Sequence, residues 1–198
     1  MTLRRAAPAC LLACLAAGQA IAAPQEDSGE YNAYTIMPSH FPKDAPRFED
    51  YPAARHGKPG VPVRWRDSAM SRMFRTRLIE WSRERPNFAG HFILATWGCG
   101  TDCTQLAIID ARSGKVFHPQ GVTANVAVNV HPDLLAPAGG LMDAWHGAGA
   151  LRYRADSRLL VLIGSPNEDN RRRGISFYTW TGTQLKRIRH VPVAWYPD

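Results

Sequence analysis

Residues 91–110, HFILATWGCGTDCTQLAIID, contain two apolar runs separated by a short turn-forming segment. The runs His91–Trp97 and Gln105–Asp110 are rich in aliphatic, β-branched and aromatic residues, which favour strands. Gly98 and Gly100 lie between the runs, where glycine is typical of a turn. The stretch therefore predicts two strands that meet at a cysteine-containing turn.

Short apolar runs separated by turn residues continue to the C-terminus, a pattern typical of antiparallel β structure. Six further strands are predicted, at Lys115–His118, Val122–Asn129, Leu151–Arg154, Leu159–Gly164, Ile175–Thr181 and Leu185–Val191. The run Leu159–Ile163 is apolar at every position, which predicts a central strand covered on both faces. We expect a meander of hairpins that forms a sheet of seven or eight strands.

One amphipathic helix is predicted ahead of the hairpin, from the N-cap Asp67 to about Arg85, where Pro86 stops it. Its apolar face would consist of Met70, Phe74, Leu78 and Trp81. We expect this helix to cover one face of the strand at Leu159–Ile163. Arginines dominate its other faces, which favours a solvated surface over a docking site.

The stretch from residue 23 to residue 66 carries seven prolines between Pro24 and Pro62, too many for a long helix or a central strand. It is predicted to be an extended, proline-rich arm, the later part of which lies against the body through its aromatic residues. Residues 67–198 would form a single domain. The predicted fold class is therefore α+β, mainly antiparallel sheet with one helix and an N-terminal arm.

The first 22 residues have the pattern of a secretory signal peptide. Arg4 and Arg5 precede an apolar run, and Ala20-Ile21-Ala22 supplies a cleavage site. The run is too short to span a bilayer as a helix, so no membrane span is predicted. We expect a periplasmic or secreted protein. The segment Leu11–Cys14 resembles a lipobox, so a lipoprotein is the less favoured alternative.

Cys99 and Cys103 are the two cysteines outside the leader. In an oxidising compartment, two cysteines this close are expected to form a disulfide. A thiol oxidoreductase would need Cys-x-x-Cys at the start of a helix, whereas here the spacing is one residue longer and a strand follows. A structural disulfide is favoured over a redox site or a cysteine nucleophile paired with His91.

The formal net charge is +7, of which two units belong to the leader, and the basic residues are spread along the chain. This distribution favours anionic partners only weakly and lacks the basic stripe that nucleic acid requires, so no nucleic-acid partner is predicted. The densest run, Arg171–Arg173, and the adjacent polar stretch Asn167–Asn170 favour a solvated loop over an anion or calcium site.

No metal, cofactor or nucleophile motif stands out in the sequence. The chain has seven histidines, but none has the ligand spacing of a zinc site, so no metal is predicted. Neither Gly-x-Ser-x-Gly nor Ser-x-x-Lys occurs, so the common serine-hydrolase signatures are missing. We predict no cofactor.

Two segments are candidates for a binding surface. One is the cysteine turn, with Trp97 and Asp102. The other is the glycine-rich stretch from Gly139 to Gly149, with Asp143, Trp145 and His146. A long surface connection is the favoured interpretation of the second segment.

Three groups of residues carry a resemblance to other proteins: Phe88–Phe92, the turn Trp97-Gly98-Cys99-Gly100-Thr101-x-Cys103, and Ile109–Val116. With Asp156–Leu160 and Phe177–Trp180 they cover roughly residues 88–188. This pattern resembles a group of small exported proteins of Gram-negative bacteria that share the Trp-Gly-Cys-Gly-Thr-x-Cys turn and have no assigned activity. The resemblance implies a fold and a compartment but no catalytic residues.

The favoured function is a non-enzymatic binding or inhibitor-type module that acts on a protein or cell-envelope partner. A turn held by a disulfide is rigid, and rigidity lowers the entropic cost of binding. The alternatives are an envelope-directed hydrolase that uses a histidine and a carboxylate, with His91, Asp102 and His146 as nominal candidates, and a structural envelope component.

Overall fold

The computed structural model describes residues 34–56, 58, 60–135 and 150–195. The predicted signal peptide lies outside them. The described part contains two short α-helices, α1 (Ala69–Met73) and α2 (Arg75–Trp81). Its eight strands are β1 (Phe92–Gly100), β2 (Cys103–Asp110), β3 (Val116–Phe117), β4 (Ala124–Val126), β5 (Leu151–Tyr153), β6 (Leu159–Pro166), β7 (Gly174–Trp180) and β8 (Leu185–Pro192). The mainly antiparallel fold is confirmed, and each predicted strand has its counterpart.

The eight strands form one sheet in the order β1-β2-β4-β6-β7-β8. β3 also pairs with β2, and β5 also pairs with β6. The short strand β4 joins two halves, because it pairs with Cys103–Gln105 at the start of β2 and with Ser165 and Pro166 at the end of β6. Among the described strands, the two halves of the sheet are therefore connected only through the short strand β4.

The two halves pack their inner faces against each other. Alternate residues of a strand point to opposite faces, and the even-numbered side chains of both halves meet in one core. This inner core includes Leu94, Leu106, Ile108, Leu160, Leu162, Tyr178 and Trp180. The Trp180 ring lies 5.3 Å from the rings of both Phe92 and Phe117, with edge-to-face geometry that aromatic pairs favour.

Each half has a different cover on its outer face. Leu78 of α2 and Val63 pack on the outer face of β1 and β2. Ile36, with Phe41 and Phe48, packs on the outer face of β6 and β7. Every residue of β6 is buried, as the unbroken apolar run predicts, but the expectation that the helix covers it is wrong. The helix ends close before β1 in sequence and packs on that half of the sheet instead.

The helical region also differs from the single helix predicted from Asp67 to Arg85. It begins at the N-cap Ser68, whose Oγ accepts a hydrogen bond from the Ser71 N–H at 3.0 Å. The Asp67 carboxylate forms an ion pair with Arg64 at 2.8 Å instead. The chain leaves helical geometry at Phe74 between α1 and α2. Met70 is 40% exposed, so it does not belong to the buried face.

The segment from residue 34 to residue 56 is bonded to the sheet domain. It contains two 3-10 turns, Pro38–His40 and Phe48–Asp50. The buried Ser157 hydroxyl, in the β5–β6 turn, donates toward the carbonyl oxygens of Phe48 at 2.8 Å and Tyr51 at 3.1 Å. The segment is therefore part of the folded body.

A buried arginine joins this segment to two others. Arg173 is 1% exposed, and its guanidinium group donates to five backbone carbonyls. The acceptors are Tyr34 at 2.9 Å, Val128 at 3.2 Å, Asn129 at 3.0 Å, Val193 at 3.3 Å and Ala194 at 3.1 Å. The N-terminal segment, the loop after β4 and the tail after β8 thus converge on one side chain.

We expect Arg173→Met to lower the free energy of unfolding by about 3 kcal/mol or more, because several buried carbonyls lose their donor at about 1–3 kcal/mol each. Urea unfolding measures the change. Arg171→Met is the matched control, since the Arg171 side chain is 90% exposed. A change of about 0.5 kcal/mol or less is expected there. Equal stabilities of the two variants would contradict the role of Arg173.

Candidate functional site

The cysteine turn closes the far end of the β1–β2 hairpin. Cys99 and Cys103 form a disulfide with their Cα atoms 5.1 Å apart, so the predicted bond is present. Cys103 is buried against the body, whereas Cys99 is exposed. Asp102 lies in the turn with a φ of 53°, and its carbonyl accepts a hydrogen bond from the Ala127 N–H at 2.8 Å. The turn is therefore fixed both covalently and to the adjacent chain.

Replacing Cys99 with Ser and Cys103 with Ala is expected to lower the free energy of unfolding by about 2 kcal/mol, because so short a loop restricts the unfolded chain only modestly. Urea unfolding of the oxidised parent and the double variant measures the difference. An unchanged free energy would show that the bond does not stabilise the fold.

Trp97 lies beside this turn on the outer face of the first half-sheet. Its ring contacts the Phe74 ring at a centroid distance of 4.9 Å, and its Nε1 donates to the Gln105 side chain at 2.8 Å. The side chain is thus held in one orientation between Phe74, which separates α1 from α2, and Gln105 of β2.

A groove of about 410 Å³ lies between α2 and the end of β1. It is lined by Arg77, Glu80, Trp81, Thr96, Trp97, Gly98 and Gly100. The structure therefore places the predicted residue Trp97 in a groove, and places Asp102 on the neighbouring turn. The other predicted surface residues, Asp143, Trp145 and His146, lie outside the described residues.

β1 is an edge strand, and part of its outward backbone is capped by side chains. Just beyond the ends of β1 and β2, the carbonyl of His91 accepts from the Ala111 N–H at 3.0 Å, and the same register continues into the strands, so odd-numbered residues of β1 bond to β2 and even-numbered residues point away. The Asn87 side chain bonds both backbone groups of Leu94, at 2.7 and 3.3 Å. Trp81 Nε1 donates to the Thr96 carbonyl at 2.8 Å.

Beyond that carbonyl the edge of β1 is open. The N–H of Thr96 and both backbone groups of Gly98 point away from β2, and no described residue bonds to them. Unpaired backbone groups on a sheet edge are a template for another strand. The open edge borders the 410 Å³ groove, since Thr96 and Gly98 line it.

Of the three nominal catalytic candidates, His91 and Asp102 are not brought together, and His146 lies outside the described residues. The first two lie at opposite ends of β1, roughly 25–30 Å apart at about 3.3 Å per residue. The carboxylate near His91 is Asp110, at 3.7 Å, a proximity that no local sequence motif indicates. Asp110 already accepts hydrogen bonds from the Arg112 N–H at 2.8 Å and the Ser113 hydroxyl at 2.7 Å, so it caps the turn after β2.

The structure also contains two serine–histidine contacts, but neither serine is placed to act as a nucleophile. Ser71 Oγ lies 3.0 Å from His118 Nε2, and Ser176 Oγ lies 2.9 Å from His190 Nδ1. The two serines are 1% and 0% exposed, which leaves no access for a substrate. No ion pair with a carboxylate is present at His118 or His190 in the described part of the chain. These contacts are structural hydrogen bonds.

Stability is expected to fall as the pH drops from about 7.5 to 5.5. Burial lowers the pKa of His91, His118 and His190. The unfolded chain takes up protons near pH 6.5, whereas the folded chain resists them, so lowering the pH through this range favours unfolding. Urea unfolding across the range measures the slope. His118→Gln should flatten it, and an unchanged slope would contradict the assignment to His118.

A larger groove of about 940 Å³ lies on the other side of Trp81. It is lined by Arg55, Glu80, Trp81, Arg83, Glu84, Arg85, Pro86, Asn87, Tyr153, Arg154 and Ala155. The N-terminal segment, the end of the helical region and the end of β5 all contribute to it. The local sequence pattern predicts solvated helix arginines and does not indicate this groove, because distant segments of the chain line it.

The described residues contain no cluster of three or more histidine, cysteine or acidic side chains that could hold a metal ion. Among the same residues, no helix is long and apolar enough to cross a membrane. The predicted polar turn at Asn167–Asn170 uses its oxygens internally: Asn167 Oδ1 accepts from the Thr123 N–H at 2.8 Å, and Asp169 pairs with Arg171 at 2.9 Å.

Together these features define a protein with a folded-over antiparallel sheet, a disulfide-closed hairpin and two grooves along one helix. No family model matches the chain, and neither a curated protein nor a solved structure is significantly similar to it. The resemblance based on the Trp-Gly-Cys-Gly-Thr-x-Cys turn therefore stays a prediction.

Proposed function

We propose that this protein is an exported, non-enzymatic binding module of inhibitor type, which holds an extended segment of a protein partner at the edge of β1. The observation that carries the proposal is the open backbone of Thr96 and Gly98 beside Trp97. Export is supported by the pattern of the first 22 residues.

Strand addition supplies the binding mode. An extended peptide pairs its backbone with an exposed sheet edge, and pockets for alternate side chains give specificity. Here the N–H of Thr96 and both groups of Gly98 would form the backbone bonds. The 410 Å³ groove next to them would receive a side chain between Trp81 and Trp97.

The rigidity of the site supports binding without catalysis. The Cys99–Cys103 disulfide and the Trp97 contacts fix the edge before a partner arrives, which lowers the entropic cost of association. The hydrolase alternative has less support. Of the described histidines, His91 lies beside a carboxylate that caps a turn, and His118 and His190 contact buried serines.

The test is capture of periplasmic and secreted proteins on the mature, oxidised chain, with two variants of one residue. Gly98→Pro removes the outward N–H, and proline is tolerated on an edge strand whose N–H faces solvent. Gly98→Ser is the matched control, because it adds a side chain but keeps the N–H. Circular dichroism and thermal unfolding show whether both variants fold.

A stoichiometric protein partner that binds the parent and Gly98→Ser but not folded Gly98→Pro is the expected result. A partner that binds all three equally would rule out the β1 edge as the site. The absence of any protein partner would also overturn the proposal and would direct attention to the alternatives of a hydrolase or an envelope component.

A further inference from the structure

The larger groove continues the site at the β1 edge. The 940 Å³ groove and the 410 Å³ groove share two lining residues, Glu80 and Trp81, so they lie side by side along α2. A chain that leaves the open edge at Gly98 and crosses Trp81 would enter the larger groove.

The larger groove is lined by more positive than negative side chains. Glu80 pairs with Arg77 at 3.2 Å, and Arg154 is engaged by Glu49 at 2.6 Å and by Asp156 at 2.9 Å. Arg47 also pairs with Glu49 at 3.8 Å, so these charges are balanced within the protein.

Three arginines of the groove lack an ion pair, although the charge of Arg55 lies close enough to Asp156 to help lower the pKa of that carboxyl. Within the described residues, Arg55, Arg83 and Arg85 form no ion pair, and the one unpaired acid among the lining residues is Glu84. The lining thus has an excess of two positive charges. Guanidinium groups suit carboxylates, since they can donate two parallel hydrogen bonds to one group.

We propose that the partner segment is acidic and that its carboxylates bind Arg55, Arg83 and Arg85 in the larger groove. This inference rests on the proposed binding of a protein segment at the β1 edge. A polypeptide fits better than an acidic polysaccharide, because only a polypeptide supplies the alternating N–H and carbonyl groups that the edge at Thr96 and Gly98 requires.

The experiment uses fluorescently labelled peptides of alternating threonine and glutamate, and of alternating threonine and glutamine, with the mature chain. Fluorescence anisotropy measures affinity at low and high salt. We expect the glutamate peptide to bind about tenfold or more tightly than the glutamine peptide, and this advantage to shrink as salt screens the charges. Polygalacturonate serves as the polysaccharide competitor.

Arg83→Gln combined with Arg85→Gln should reduce the affinity for the glutamate peptide about tenfold, because both groups lose their charge. Arg75→Gln is the matched control. Arg75 is an exposed arginine of α2 that lines neither groove, so its loss should change the affinity less than about twofold.

Equal binding of the two peptides, no binding of either, or equal effects of the groove and control variants would overturn the inference. Tighter binding of polygalacturonate than of the glutamate peptide would overturn it as well. The proposed function fails separately. If the partner captured by the parent chain is lost with Gly98→Pro but kept by the double arginine variant, edge binding stands and the acidic segment does not.

Discussion

The guanidinium group of Arg173 is enclosed by the protein, and its two terminal nitrogens donate to backbone carbonyls where an ion pair would ordinarily be expected, while Nε has no partner among the described residues. A buried charge is costly unless its hydrogen bonds are satisfied. The carbonyls come from the segment at Tyr34, from the loop at Val128 and Asn129, and from the tail at Val193 and Ala194. These three segments must therefore dock together, because the release of any one leaves the charge less well compensated.

That docking determines how the sheet is covered. With the N-terminal segment held at Tyr34, its apolar residues Ile36 and Phe41 lie on the outer face of β6 and β7. The helical region is then left to cover β1 and β2, where Leu78 packs. As a result α2 runs beside the β1 edge, and Trp81 lies between the two grooves. The cover of one half of the sheet thus fixes the surroundings of the candidate site on the other half.

Local pattern was enough to predict the strands and the disulfide, but not the way in which distant segments meet. The run Leu159–Ile163 shows a strand buried on both faces, because no position in it is polar. It does not show which segment covers each face, because the helix and the N-terminal segment both carry enough apolar residues to cover a strand. Asp110 was missed for a related reason: its nearness to His91 depends on the register of β1 and β2, in which Phe92 faces Asp110. Arg173 stands in a run of three arginines, and nothing in that run marks the buried one.

The two outer edges of the sheet are protected by different means, and this difference singles out the β1 site. Exposed sheet edges favour unwanted pairing, and charged side chains or covering groups prevent it. The β8 edge carries exposed Lys186 and Arg187, so charge protects it. On β1, Asn87 and Trp81 cap the backbone only as far as the Thr96 carbonyl. The next outward residue is Gly98, whose backbone groups have no partner among the described residues. Among the described residues, the β1 edge is thus capped as far as the Thr96 carbonyl and open at Gly98, next to the disulfide-closed turn and the 410 Å³ groove, where an added strand would find unpaired backbone groups and room for a side chain.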